Sequence, residues 1–336
     1  LEFALRTCGV RRGDEVILPT FCCPSVVAPI LAAGATPVLA DVGRELNLTA
    51  ASVKAALTQK TRAVIVPHLF GNPAAIEEIV ESVRGKSICV VDDAAQALGA
   101  TIAGRPVGGF GDAGILSFGA EKVCFGLGGG VLLSRNRDID DPFTRSDWPA
   151  SALGPALKNL CATFFLRRLR RWTRPIDSRW SAKSPDESPQ QYRREAMSNL
   201  AAAVAGSLID SLQENLTARR ARVELYRELL RECRGLQLIP HRAGSACLSQ
   251  VIRVSPRRCS EDAAAKLIDM LRTSGYEVQG SYVPIHLLAN FGQCVWDRLP
   301  HAERVWADLV ELPCEPGVSL ADVERIAEIL RGHVGD

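Results

Sequence analysis

Short apolar runs bounded by Gly, Pro or Asp recur through the first 135 residues and constrain the fold more than any other feature. They are DEVILP (14–19), TPVLAD (36–41), TRAVIV (61–66), SICVVD (87–92), AGILSF (113–118) and GGVLLS (129–134). Runs that are apolar on consecutive residues, not on alternate ones, read as strands covered on both faces. Between them, Thr49–Leu57 and Pro73–Val83 pair helix-start residues with helical spacing. The pattern predicts a layered α/β domain with a largely parallel sheet, whose ligands sit at the carboxyl ends of the strands.

Beyond Arg135 the pattern degrades, and SAKSPDESPQQ (181–191) reads as an exposed loop within an irregular insert at about 140–195. Ala205, Leu208, Ile209, Leu212 and Leu216 then predict one long amphipathic helix, with Asn199 as its N-cap and its end near Arg234. Strand-like CLSQVIRV (247–254) and helices around 261–273 and 320–331 follow. A large domain over 1–213 and a smaller α+β domain over 214–336 are expected, which 336 residues can accommodate.

Charge and cysteine content exclude several function classes. With 40 Lys+Arg against 38 Asp+Glu, nothing global points to nucleic acid. The longest apolar tract, Val26 to Ala40, is broken by Pro29, Gly34 and Pro37, so no membrane span or signal peptide is expected. The 11 cysteines are odd in number and lack C-x-x-C spacing. They read as reduced, buried thiols of a cytoplasmic protein, with neither disulfide nor metal expected.

The chemistry concentrates at two strand ends. VVDDAAQALGA (90–100) places two adjacent acids and a glutamine there, with Asp93 and Gln96 three residues apart. The next strand ends at Ser117-Phe118, Lys122 follows, and the run GLGGG (126–130) permits close backbone approach. A carboxylate, a hydroxyl and an amine at successive strand ends suit a cofactor with a basic ring nitrogen, a phosphate and an aldehyde. Each part alone has an ordinary structural role: a solvated lysine, a helix N-terminus, a turn.

Together these stretches resemble the DegT/StrS family of pyridoxal-phosphate-dependent sugar aminotransferases, which have the aspartate-aminotransferase fold, fold type I. The matching segments are GDEVILPTF (13–21), AAGATPVLADV (32–42), PHLFGNPA (67–74), VDDAAQALGA (91–100), GGFGDAGILSFGAEK (108–122) and GLGGGV (126–131). NLAAAVAGSLIDSLQENLTARRARVELY (199–226), YVPIH (282–286) and LPCEPGVSLADVERI (312–326) match as well. The resemblance implies that Lys122 condenses with the aldehyde of pyridoxal 5'-phosphate and Asp93 pairs with the pyridine nitrogen. It also implies that Gln96 lies near the ring's phenolic oxygen and Ser117 contacts the phosphate. It further implies transamination of a keto sugar on a nucleotide carrier, glutamate as amino donor, and a homodimer serving polysaccharide or secondary-metabolite biosynthesis.

The sequence departs from the family in places. The family's Ser-Gly-Thr-like phosphate turn would precede Leu1, so the chain reads as N-terminally truncated. Cys23 stands where the family commonly stacks an aromatic ring on the cofactor, and Leu127 replaces the glutamate of a GEGG turn. YRREAM (192–197) lacks the asparagine that usually reaches the partner subunit, and Arg193 and Arg194 read first as a solvated helix start and only second as a phosphate contact. Tyr282 and His286 are candidate substrate residues or packing residues, and His68 reads as structural. FFLRRLRRWTR (164–174) reads as a solvated face or a weak peripheral membrane contact. Two further readings are a sugar dehydratase of the same family, which carries histidine where Lys122 stands, and a cofactor-binding regulatory protein with weak or no catalysis.

Overall fold

The computed structural model describes residues 1–119, 121–134, 154, 195–255 and 262–334. The arginine run at 164–174, the loop at 181–191, Arg193 and Arg194 lie outside these residues. Six strands form the main sheet: β1 (Glu15–Pro19), β2 (Thr36–Ala40), β3 (Thr61–Pro67), β4 (Cys89–Asp93), β7 (Ala113–Ser117) and β8 (Gly130–Ser134). Their order is β2-β1-β3-β4-β7-β8. All pairs are parallel except β7 with β8, which closes the edge antiparallel. β5 (Thr101–Ile102) and β6 (Arg105–Pro106) form a separate small ribbon.

The continuous apolar runs are explained by cores on both faces of this sheet, except in the edge strand β8, where Val131 and Leu133 are exposed against the expectation of a strand covered on both faces. Along β3, Ala63 and Ile65 enter one cluster with Leu5, Val27 and Ile30, while Val64 and Val66 enter another with Val53, Ile76 and Ile79. The first cluster packs under α1 (Glu2–Thr7) and α2 (Val27–Ala32), the second under α3 (Ala50–Ala56) and α4 (Ile76–Ser82). α3 starts at a capping box: Thr49 Oγ1 accepts from the Ser52 amide at 3.1 Å, and Ser52 Oγ accepts from the Thr49 amide at 3.1 Å.

The long helix is two helices, α5 (Asn199–Asp210) and α6 (Leu212–Leu230), meeting at Ser211. Its N-cap is Ser198 and not Asn199: the Ser198 hydroxyl accepts from the Ala201 amide at 3.2 Å. Beyond it, β9 (Leu236–Leu238), β10 (Ser249–Val254), β11 (Gln279–Gly280) and β12 (Leu309–Pro313) form an antiparallel sheet of order β11-β12-β10-β9. α7 (Ala263–Thr273), α9 (Leu320–Val334) and α6 share its core through Leu267, Ile326 and Tyr226. α8 (Pro300–Val305) packs back on the main sheet, its first amides bonded by Asp41 at the end of β2.

The expectation of no disulfide is overturned. Cys8, at the end of α1, is bonded to Cys89, the first residue of β4, with a Cα–Cα separation of 5.6 Å. Eighty-one residues separate them in sequence, and only the packing of α1 across the sheet brings them together. Among the described residues, no helix is long and apolar enough to cross a membrane.

Candidate active site

Strand register brings the functional ends to one rim, since Pro67 pairs with Asp93 and Asp93 with Ile115. A cavity of about 490 Å³ opens there, lined by Asp93, Gln96, Ser117, Lys122 and Cys23 among others. That volume lies within the roughly 300–1,000 Å³ of small-molecule sites.

The two adjacent acids separate by the alternation of the strand. Asp92, 0% exposed, turns away from the cavity, and its Oδ1 lies 2.6 Å from Nε2 of the fully buried His68. His68 Nδ1 accepts from the Ala74 amide at 2.8 Å, so the ring proton is on Nε2 and is donated to Asp92. Asp92 Oδ2 accepts from the Phe110 amide at 2.8 Å. Asp93, 4% exposed, faces the cavity, and its Oδ1 accepts from the Ala95 amide at 3.0 Å. Burial pushes the Asp93 carboxyl above its ordinary value, opposed by the Ala95 N–H and by the charge of Lys122.

Gln96 is held at both ends of its amide. Oε1 accepts from the Phe70 amide at 2.9 Å, and Nε2 donates to the Tyr282 hydroxyl at 2.8 Å. Ser117 Oγ accepts from the Gly119 amide at 3.3 Å. Lys122 sits in a loop closed at its neck by Phe118, whose carbonyl accepts from Gly126 and Gly128 and whose amide donates to Gly129. The glycines of GLGGG serve packing. A Cβ on Gly126 would meet Ala205 of α5 at 2.8 Å, and one on Gly129 would meet Met197 at 2.6 Å.

Residues 1–331 match the DegT/DnrJ/EryC1/StrS aminotransferase family. The chain belongs to that family. It is 28% identical over 334 residues to the GDP-perosamine synthase of Caulobacter vibrioides, covering 98% of this chain and 82% of that one. It is 39% identical over 142 residues to the UDP-N-acetyl-3-dehydro-alpha-D-glucosamine 3-aminotransferase of Acidithiobacillus ferrooxidans, covering 42% and 38%. Among solved structures, the aminotransferase TlmJ of Streptoalloteichus hindustanus superposes with a TM-score of 0.76 at 27% identity, covering 99% of this chain and 82% of that one. The mostly parallel sheet with helices on both faces is accordingly a fold type I aminotransferase fold.

Other residues singled out in this aminotransferase sequence lie differently. Tyr282 is partly buried beside Phe21 and Phe70, with ring centroids 6.0 and 6.2 Å away, and reaches the cavity wall through Gln96. His286 is not among the lining residues. Its Nδ1 lies 2.8 Å from Thr20 Oγ1 and its Nε2 3.2 Å from Glu303. Cys23 Sγ lies 3.0 Å from Ser25 Oγ. Leu127, at φ 66°, is buried against Ala201 of α5, so an apolar contact occupies the position of the family's glutamate. Cys22, Ser25, Val26 and Met197 also line the cavity and were not singled out. For Cys22, Ser25 and Val26 the available signal was their place just beyond the end of β1.

Proposed function

We propose that this enzyme transfers an amino group to the keto carbon of a nucleotide-carried sugar, with pyridoxal 5'-phosphate in the cavity and glutamate as donor. The observation carrying this reading is that Asp93, at the end of β4, and Lys122, in the loop after β7, line one cavity with Ser117. The donor set fits the cofactor: an amine for its aldehyde, a buried acid for its ring nitrogen and a hydroxyl for its phosphate.

Bound there, the cofactor supplies an aldehyde for the donor and a ring that takes up electron density when the substrate carbon loses its proton. Asp93 would hold a proton on the ring nitrogen, and the cationic ring in turn offsets the cost of burying the ionised carboxylate. Lys122 Nζ would bond the aldehyde and, once displaced by the donor, move the proton between carbons. Ser117, whose Oγ accepts from the Gly119 amide, keeps its own O–H to donate to phosphate. Cys23 would pack its sulfur against the ring. A second copy of the chain would complete the site, as a homodimer.

Mixing the protein with pyridoxal phosphate and then glutamate tests this. The visible absorbance of the bound cofactor is expected to convert to that of its aminated form, and a keto nucleotide sugar to restore it. Absorbance that forms yet answers to no amino donor would favour a regulatory protein instead. Lys122, where the family's dehydratases carry histidine, favours transamination over dehydration.

A further inference from the structure

We propose that Tyr282 is a positioning residue for the cofactor site: its hydroxyl holds the Gln96 amide so that an N–H, and not the carbonyl oxygen, is presented to the cavity. This rests on the reading of the cavity as the pyridoxal phosphate site.

The orientation of the Gln96 amide follows from its two neighbours. A backbone N–H can only donate, so the Gln96 atom 2.9 Å from the Phe70 amide is the oxygen. The nitrogen therefore points to the Tyr282 hydroxyl, 2.8 Å away, which accepts one of its two protons. The second N–H has no acceptor among the described residues, and Gln96 lines the cavity. Such a group recognises an acceptor on the ligand, which on this cofactor is the ring oxygen.

The two atoms that fix the amide are themselves coupled. Phe70, Phe21 and Tyr282 form a triangle of rings with centroids 6.0 to 6.3 Å apart. Phe70 sits at φ 58°, a left-handed conformation costly for an aromatic residue, and its carbonyl is pinned by the Leu248 amide at 2.9 Å. Tyr282 follows β11, and Leu248 precedes β10. One restraint on Gln96 therefore comes from the second half of the chain directly, and the other, the Phe70 amide, is braced by it through Leu248. The end torsion of a glutamine side chain is intrinsically broad, so removing the hydroxyl leaves the amide fixed only at its oxygen.

The test compares binding of pyridoxal phosphate with an analogue lacking the ring hydroxyl, by equilibrium dialysis. Wild-type protein is expected to prefer the phosphate carrying the hydroxyl. Tyr282→Phe keeps the ring packing and is expected to shrink that preference by about three- to tenfold, the worth of one hydrogen bond, leaving the analogue's affinity in place. A packing role alone would weaken both ligands alike, and an unchanged ratio would overturn the proposal. Gln96→Met provides a second variant, in which the preference should vanish with Tyr282 intact; a retained preference also overturns it. Wild-type protein that bound neither compound would sink the cofactor reading and the proposal together, whereas normal wild-type binding with unaltered ratios would sink only the proposal.

Discussion

Asp92 and Asp93 are chemically identical neighbours on one strand, yet they occupy opposite environments. Asp92 faces the core beneath α3 and α4, and both its oxygens are bonded, to His68 and to the Phe110 amide. Asp93 faces the cavity with only the Ala95 amide on Oδ1 and no donor on Oδ2 among the described residues. The first is a satisfied structural acid and the second an acid left with spare capacity. Buried polar groups are ordinarily saturated, so the incomplete one marks where a ligand belongs.

Three substitutions would break or sharpen that contrast. The largest effect is expected on the cavity side from Lys122→Ala, which removes the amine that faces Asp93. Steady-state turnover should fall by about 10²–10⁴-fold, the typical worth of a positioned proton-transfer group. The visible absorbance of the bound cofactor should vanish with it, while thermal stability changes little.

On the structural side, Asp92→Ala strips the His68 Nε2–H and the Phe110 amide of their acceptor. Unfolding in urea should report a loss of about 3 kcal/mol, as expected when two buried donors are left without their acceptor. A loss below the error of the extrapolation would mean that the pair does not hold the two loops.

The smallest stability effect, and one of opposite sign, is expected from Asp93→Asn. Asp93 in the folded chain titrates above its ordinary value, so the native state binds the proton more tightly than the unfolded state does. Stability then falls as pH rises from the ordinary carboxylate range through the raised folded value. Asparagine removes that titration. The cofactor-free variant should melt higher than wild type at neutral pH, and the advantage should disappear in acid, where Asp93 is protonated anyway. Pyridoxal phosphate should bind the variant more weakly. A variant that melts lower at neutral pH would show that Asp93 is as satisfied as Asp92.

Much of the sheet was legible in the sequence because each strand is apolar on consecutive residues and all but β2 end at a Pro, Asp or Ser. The same reading placed Asp93, Gln96, Ser117 and Lys122 near one rim, the family resemblance added Cys23, and all five line one cavity. It set Asp93 beside Gln96 but did not show that Asp92 is held by His68, since strand alternation assigns faces only once the partners on each side are known. The Cys8–Cys89 bond was invisible because it depends on tertiary packing across 81 residues. The helix break at Ser211 was also missed, because hydrophobic spacing continues through it from Ile209 to Leu212. Tyr282 and His286, four residues apart, looked alike in sequence; the fold sends one hydroxyl to Gln96 and ties the other side chain to Thr20.

The bonds that Phe118 makes to Gly126, Gly128 and Gly129 have one more consequence. The sheet's last two strands are already zipped together by their own ladder, from Ala113–Ser134 to Ser117–Gly130. Phe118 then acts as a clasp just beyond that ladder, gathering both legs of the lysine's loop at a single peptide. The Lys122 amine thus belongs to a loop fastened at one peptide, and because every bond of that fastening is backbone to backbone, side chains at 121–125 can be exchanged without removing any of them.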